Sequence, residues 1–314
     1  MAAFLVRRTL LALIILLVVA NLLFLMIHLI PGDPTVVALG PRSTPAMREA
    51  FRHLMGLDRP FIEQIGLYLG RLATGDLGTD VWSGRPVLTM ILEVLPHTAL
   101  LAIASFAWAV LLGVILGCVA VMQHGKWGDW LIGLVSIAFV AVPSFVVALY
   151  SLLVFAVALN WLPAIGAGEE GNWASQARAL ILPSFAIGLG WVGFVSRLVR
   201  AAMIEAMGED YVRTLRAYGV GENRIVFTYA LKQALLAVIS VLAIGFGSLL
   251  SGSVFAEIVF SRPGLGKMTY DAVVSRNFPV VMGTVLVTSA LYLACMIVAD
   301  IVSAVLDPRV RRAL

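Results

Sequence analysis

Six separate stretches of this sequence are each long and apolar enough to cross a lipid bilayer. A spanning helix needs roughly 20 consecutive, mostly apolar residues, and a backbone inside lipid has to satisfy its hydrogen bonds within the helix itself. The stretches cover residues 9–30, 98–122, 130–159, 180–203, 234–255 and 280–305. The composition agrees, because 61% of the residues are hydrophobic and only 13% are charged, well below the charged share of an ordinary soluble domain. We therefore predict an all-α integral membrane protein with six transmembrane helices.

The distribution of Lys and Arg predicts how these helices are oriented. An even number of spans places both termini on one side, and the cytoplasmic side carries the excess of Lys and Arg. With the N-terminus inside, the inner segments hold twelve such residues and the short outer connections hold four. The other six lie in the loop 31–97, which is too long for the rule to apply. Both termini are expected in the cytoplasm, with residues 306–314 as a tail. The net charge of +4 is too small to indicate nucleic acid binding.

The first apolar stretch resembles a signal peptide at its start, because Arg7 and Arg8 precede it. It is too long for one, however, and the sequence HLIPGDP follows where a small-residue cleavage site would be expected. Residues 1–30 are therefore predicted to form the N-terminus and a retained first transmembrane helix.

The loop 31–97 is predicted to form a small helical subdomain outside the cytoplasm. After Pro60, an apolar stripe with helical spacing consists of Phe61, Ile65, Tyr68 and Leu72. The turn sequence TGDLG, residues 74–78, then ends this helix. The stripe fits packing against the protein's own membrane domain or contact with a substrate.

The sequence lacks the residue patterns of a metal site, a nucleotide site or a protease. Cys118 and Cys295 both lie in apolar stretches, and neither they nor the scattered His residues have metal-ligand spacing. The segment SRPGLGKMT, residues 261–269, lacks both the Gly and the Ser or Thr that a phosphate-binding loop requires. Asp300 is the one clear carboxylate within an apolar stretch, and one carboxylate cannot form a catalytic dyad. We expect a chain that is not an enzyme and has no cofactor of its own.

Residues 98–305 form the predicted transmembrane core, and two of its stretches contain unusual residues. A proline in the sequence AVPSF should kink the third helix, and small residues line one face of the fifth. Such a face permits close helix packing or lines a polar path. The candidates for a path are Pro143, Ser144, Gly245, Ser248, Ser251, Gly252 and Glu257. At the outer end of the fifth helix, Glu257 and Arg262 are expected to pair with a docking partner or to be solvated.

The inner segment GEDYVRTLRAYGV, residues 208–220, is predicted to be a short amphipathic helix. Acidic residues at its start and basic residues at its end suit the helix dipole, and Gly219 provides a stop. Tyr211, Leu215 and Tyr218 form an apolar stripe outside the bilayer. Lipid headgroups, the protein's own helices or another protein could cover this stripe.

Residues 205–238, EAMGEDYVRTLRAYGVGENRIVFTYALKQALLAV, resemble the EAA loop of ABC importer permeases, and more narrowly that of the dipeptide/oligopeptide permease family. The resemblance continues along the chain in five islands. These are HLIPGDP at 28–34, GLDRP at 56–60, GDLG at 75–78, FSRPGLG at 260–266 and DPRVR at 307–311.

The resemblance implies a type I ABC importer permease-like fold and a coupling loop at residues 204–233 that docks on an ATPase. The residues it assigns to coupling are Glu205, Ala206, Asp210, Tyr211, Arg213, Leu215, Tyr218 and Gly219. The implied partners are a second homologous permease subunit, two cytoplasmic ATP-binding subunits that bind ATP and Mg²⁺, and an extracytoplasmic substrate-binding protein. The implied location is a bacterial inner membrane.

The same resemblance implies peptides as the substrate class, imported by alternating access. Glutathione, other peptide-like compounds or chelated nickel are alternatives for the same machinery. A stand-alone secondary carrier or channel, or a membrane-embedded enzyme, would be a different class of protein. A carrier would usually show an internal repeat of spans and more buried ionisable residues, neither of which the sequence shows.

Overall fold

The computed structural model describes residues 2–29, 35, 44–55 and 58–306 of the 314-residue chain. Its helices are α1 (Ala2–Leu29), α2 (Pro45–Met55), α3 (Phe61–Ala73), α4 (Val87–Met122), α5 (Trp127–Ala141), α6 (Ser144–Ser151), α7 (Trp173–Met207), α8 (Asp210–Ala217), α9 (Glu222–Arg224), α10 (Leu231–Val259), α11 (Leu265–Val274) and α12 (Phe278–Leu306). Two π-helical segments, Leu152–Ala158 and Ile225–Ala230, continue α6 and α9. The only extended pairing in the described ranges is an isolated bridge between Thr79 and Pro86.

The predicted tail beyond Leu306, including the island DPRVR, lies outside the described residues. The same holds for the island HLIPGDP from residue 30 onward and for the first two residues of GLDRP.

Each of the six predicted apolar stretches coincides with helix in the described residues, except at Val142, Pro143 and Leu159 of the third stretch. Among the described residues, four helical segments are long and apolar enough to cross a membrane: Phe4–Met26, Val87–Met122, Trp173–Met207 and Phe278–Val305. The bent pair Trp127–Ala141 and Ser144–Ala158 is long and apolar enough to count as a fifth span if the two helices cross the membrane as one broken segment. The remaining stretch lies within the 29-residue α10, in which Ile244–Val259 is the apolar part identified among the described residues.

Two of the predicted boundaries differ from the structure. The helix α4 begins at Val87 rather than at residue 98 and includes Pro96. The charged Glu93 and this proline concealed its first turns in the sequence. The third stretch is not one kinked helix but two helices bent by 94°. Val142 and Pro143 at the break have extended backbones, because proline cannot donate a helical hydrogen bond and disfavours helix in the residue before it.

The chain divides into two compact units. In the first, formed by His97–Arg262 and Ala294–Leu314, α4 packs closely on α7. A Cβ on Gly113 would lie 2.6 Å from Cβ of Val195, and a Cβ on Gly117 would lie 2.8 Å from Cβ of Val199. The two glycines are four residues apart, a spacing that lets membrane helices approach closely. This contact continues into a buried cluster that includes Cys118, Met203, Ala206, Val226 and Ala230.

The second unit, formed by Ala2–Pro96 and Pro263–Leu293, contains the predicted stripe on α3. Phe24 of α1 stacks on Tyr68, with ring centroids 5.5 Å apart, and meets Phe61 in a tilted contact with centroids 5.7 Å apart. The stripe therefore packs on the first transmembrane helix, as one of its two interpretations expected. Burial raises the pKa of Tyr68 to about 12, because the phenolate is poorly solvated there.

A buried carboxylate fixes the turn that precedes α4 in this second unit. Asp80 accepts hydrogen bonds from the backbone N–H groups of Trp82 and Ser83 at 3.3 and 3.0 Å, and from the side chains of Ser83 and Asn277. Burial alone would raise the pKa of Asp80, but these hydrogen bonds outweigh it and hold the pKa below its usual range. The turn is thereby tied to the segment just before α12.

Candidate functional site

The predicted inner helix is present as α8, directly after the membrane helix α7. Gly208 ends α7 and Glu209 is the N-cap of α8. At the other end, the N–H of Gly219 bonds to the carbonyl of Arg216 at 2.9 Å and that of Val220 to the carbonyl of Leu215 at 3.1 Å. This is a Schellman motif, in which the residue after the C-cap takes a left-handed conformation. Gly219 does so, with φ of 74°, and glycine has no steric penalty there.

The side chains of α8 do not form the single stripe that the sequence predicts. Tyr211 and Leu215 are half-buried, whereas Tyr218 is 82% exposed. The most buried residue of α8 is instead Val212, with no exposed surface. Tyr218 departs from the stripe because it is the C-cap, where the backbone has left the helical path. One face of α8 therefore rests on the protein itself, and Tyr218 and Arg213 point outward.

Tyr211 carries a polar group into this partly buried face. Among the residues that the structure describes, its hydroxyl has no hydrogen-bond partner. Burial raises the pKa of Tyr211, and the nearby negative charge of Glu209 raises it further. Buried hydroxyls are usually hydrogen-bonded, and this one is covered by the chain itself.

The charges around α8 are arranged partly as the sequence predicts. Nη1 of Arg213 lies 3.7 Å from Oδ1 of Asp210, which is one of the predicted pairs. Arg216 pairs outside its helix, with Nε 2.6 Å from Oε1 and Nη2 3.3 Å from Oε2 of Glu222. The guanidinium of Arg216 holds the pKa of Glu222 below its usual range. This pair lies at a cavity of about 490 Å³ that is otherwise lined mainly by apolar side chains of α4 and α7.

Glu205 and Ala206, the first two residues assigned to coupling, lie in the last turn of α7. Ala206 is buried, while Glu205 is exposed. They therefore differ in what they can contact, since only Glu205 is accessible to another molecule.

A bidentate ion pair links α7 to α5 on the same side as α8. Arg200 Nε and Nη2 lie 2.6 and 2.8 Å from the two carboxylate oxygens of Asp129. His124 Nδ1 lies 3.2 Å from Asp129 Oδ2, and the N–H of Gly125 donates to the same oxygen at 3.3 Å. The Asp129 side chain is only 9% exposed. In the sequence, Arg200 contributes only to the predicted orientation, and the acidic Asp129 in the first turn of α5 is the signal that could have indicated its partner.

Within the membrane region, the break between α5 and α6 opens onto a cavity of about 460 Å³. It is lined by Val140, Val142, Pro143, Ser144, Ile187, Gly190, Trp191, Phe194, Ser248, Leu249 and Gly252. Four of the seven predicted path residues thus meet in one place. None of the described residues that line this cavity is charged. Non-helical backbone at membrane depth is tolerated only where protein covers it or where it lines a cavity, and the break satisfies that condition.

The other three predicted path residues do not line this cavity. Gly245 adjoins the ring of Trp191 rather than the cavity. The carbonyl of Gly245 accepts a hydrogen bond of 2.8 Å from Ser248 Oγ. The side chain of Ser251 lies outside the described residues. Glu257 has no exposed surface and accepts a hydrogen bond of 2.7 Å from Thr98 Oγ1.

The predicted roles of Glu257 and Arg262 at the surface are wrong. Both are buried within the first unit, Arg262 being 1% exposed. The chain folds back after α10, where the N–H of Arg262 bonds to the carbonyl of Glu257 at 2.9 Å. Burial lowers the pKa of Arg262, while the charge of Glu257 opposes that shift. Its Nε and Nη1 have no hydrogen-bond partner in the described part of the chain. Because both side chains are buried, neither is accessible to solvent or to a docking protein.

Three residues that shape these sites are not among the residues predicted from the sequence: Val212 of α8, and Trp191 and Phe194 at the cavity. Val212 is three residues before Leu215, so helical spacing alone could have placed it on a buried face. The two aromatic residues sit in the glycine-containing sequence GLGWVGF of α7. Glycines beside large rings indicate close packing, but not which side of a helix faces a cavity.

Comparison with known proteins gives a consistent result along the whole chain. Residues 109–312 match the family described as "binding-protein-dependent transport system inner membrane component", and residues 1–102 match the N-terminal region of such membrane components. A Brucella abortus (strain 2308) protein named as a peptide transport system permease is 37% identical over 317 residues, covering 99% of both chains. The glutathione transport system permease protein GsiC of Escherichia coli (strain K12) is 33% identical over 311 residues, again covering 99% of both.

Solved structures support the fold. A chain of the inward-facing MetNI methionine ABC transporter aligns with a TM-score of 0.58 and 16% identity, covering 69% of this chain and 96% of that chain. With helices that cross the membrane several times and family matches that together cover nearly its full length, this chain belongs to the binding-protein-dependent transport system inner membrane components.

Proposed function

We propose that this chain is the permease subunit of an ATP-driven ABC importer that moves peptides into the cytoplasm. The observation that carries the proposal is the course of α7, which lines the uncharged cavity with Trp191 and Phe194 and leads directly into α8. One rigid element thus joins a candidate passage to an accessible helix outside the membrane. The names of the two relatives, a peptide permease and a glutathione permease, support the substrate class.

In this proposal, α8 is the contact with an ATP-binding subunit. Its buried Val212 holds it on the permease, and its exposed Tyr218 and Arg213 face the partner. Tyr211 is assigned to the same interface through the accessible part of its half-buried side chain, since its hydroxyl is covered by this chain. Glu205, Asp210 and Leu215 are assigned to the same interface, while Ala206 and Gly219 shape the backbone on either side of α8.

Two such ATP-binding subunits hold ATP and Mg²⁺, and a second permease subunit supplies the other half of the passage. When the ATP-binding subunits close, they move α8 and with it α7. Because Arg200 of α7 is paired with Asp129 of α5, that movement reaches the break at Pro143 and opens the cavity toward the binding protein outside. Hydrolysis of ATP then returns the transporter to its starting conformation. Both termini of the chain lie in the cytoplasm.

The chemistry of the cavity supports peptides or peptide-like molecules over compact ions. A cavity of about 460 Å³ falls within the usual size range of small-molecule sites. Its hydroxyls at Ser144 and Ser248 and its apolar walls suit a peptide backbone and side chains, while no charged lining residue would hold an ion tightly. Glutathione, related peptide-like compounds and chelated nickel remain alternative substrates for the same passage.

The proposal is tested by transport in proteoliposomes that contain this chain, the second permease and the ATP-binding subunits. Labelled dialanine, glutathione and a nickel chelate are offered with the binding protein on the outer side. We expect uptake of the peptide that requires both ATP and the binding protein. Uptake driven by a proton gradient without ATP would show a secondary carrier instead, and uptake of the nickel chelate alone would identify a different substrate.

A further inference from the structure

One aromatic ring occupies a central position in the first unit. Trp191 lies near the middle of α7, lines the cavity at the helix break, and packs against both buried clusters of the unit. Tryptophan is the largest side chain, so a small movement of its ring changes the width of the cavity more than movement of any other lining residue.

The position of this ring is fixed from three directions. It makes edge-to-face contacts with Phe194, with ring centroids 5.4 Å apart at 76°, and with Phe106, with centroids 6.4 Å apart at 65°. Phe106 is itself held by Phe246, at 5.2 Å. Edge-to-face contacts of this kind favour one orientation of the rings.

The third direction is the backbone of α10. A Cβ on Gly245 would lie 2.5 Å from Cζ3 of Trp191, far closer than two carbon atoms can approach. The absence of a side chain at this position lets the ring lie back against α10. Any side chain there would push the ring away from α10. Because Phe106 and Phe194 flank the ring and the ring already lines the cavity, we expect it to move toward the cavity.

We infer that Trp191 sets the width of the passage through this subunit, and that Gly245 is its positioning residue. This inference rests on the proposed function, since a passage implies a transported molecule. According to this inference, Trp191 selects substrates by the cross-section of their side chains. Charge is not selected at this point, because none of the described lining residues carries any.

The test compares Gly245→Ala with wild type in the complete transporter in proteoliposomes, supplied with the binding protein and ATP. Uptake of the dipeptide Phe-Phe should fall about tenfold, the order of effect of one misplaced methyl group in an apolar pocket, while uptake of Ala-Ala falls much less. The double variant Gly245→Ala/Trp191→Ala should regain Phe-Phe uptake, since the displaced ring is gone. Gly133→Ala is the matched control, because a Cβ on this glycine of α5 meets no atom within 4 Å.

A second measurement does not depend on the substrate. In a chain with Cys118→Ala and Cys295→Ala, Ser144→Cys reports the width of the cavity through its reaction with a small methanethiosulfonate and a bulky biotin maleimide. Gly245→Ala should slow the bulky reagent selectively, and Trp191→Ala should reverse this.

The outcomes separate the two proposals. Equal Phe-Phe uptake and equal labelling in Gly245→Ala and wild type would overturn the role of Trp191, as would a loss that Trp191→Ala does not rescue. The proposed passage would instead be contradicted if the wild-type protein took up neither dipeptide. It would also be contradicted if the Ser144→Cys chain with otherwise wild-type Gly245 and Trp191 reacted with neither reagent.

Discussion

The variant Arg200→Met is expected to be less stable than wild type by about 3 kcal/mol, the lower end of the cost of breaking a buried ion pair. The Asp129 carboxylate is nearly buried and receives both of its shortest hydrogen bonds from Arg200. Without the guanidinium, the carboxylate between α5 and α7 keeps only its longer contacts with Gly125 and His124. We take the lower end because Arg200 is itself one-third exposed. The midpoint of thermal unfolding in detergent measures the effect.

A double variant distinguishes charge from packing. In Asp129→Asn/Arg200→Met no charge remains, and the amide oxygen can still accept the N–H of Gly125. Most of the lost stability should return, because removing both partners avoids an unsatisfied buried ion. If the double variant were as unstable as Arg200→Met, lost packing of the Arg200 side chain would be the cause.

The second large effect is expected from Val212→Asp, which should abolish copurification of the ATP-binding subunit. Val212 is the fully buried residue through which α8 contacts the permease. A carboxylate at this position either remains buried without hydration, at a large cost in free energy, or displaces α8 from the permease. The proposed coupling surface is lost in both cases. Pull-down of the ATP-binding subunit and ATP hydrolysis stimulated by the binding protein are the readouts.

Val212→Thr is the matched control, since it keeps the shape of the side chain and introduces no charge. It should retain the ATP-binding subunit and most of the stimulated hydrolysis. Full ATPase binding by Val212→Asp, with the chain still eluting as a single species in size-exclusion chromatography, would mean that the seating of α8 does not matter for coupling.

The sequence predicts the helices well, because membrane length and helical spacing are local properties. Apart from the break in the third, the six apolar stretches coincide with helix where described, and Phe61 and Tyr68 of the stripe pack on α1. The stop at Gly219 was also predictable, since few residues other than glycine adopt its backbone conformation at no cost.

The parts that the sequence does not predict depend on contacts between distant segments. Proline at position 143 indicates a distortion, but the 94° bend is set by the helices that surround it. Periodicity places Tyr211, Leu215 and Tyr218 at similar angles, yet the end of α8 turns Tyr218 outward. The sequence predicts Glu257 and Arg262 at the surface because charged side chains are usually exposed. Only the return of the chain after α10 shows that they are buried.

The role of α8 as the contact for an ATP-driven partner is tested most directly by cysteine cross-linking in the complete transporter. Tyr218→Cys and Trp173→Cys are compared in a chain without Cys118 and Cys295, because Tyr218 and Trp173 are equally exposed, at 82%. Trp173 begins α7 at the opposite end from α8. We expect Tyr218→Cys to cross-link to the ATP-binding subunit, with a yield that changes when ATP is added, and Trp173→Cys not to do so. A cross-link from Trp173→Cys and none from Tyr218→Cys would contradict this role.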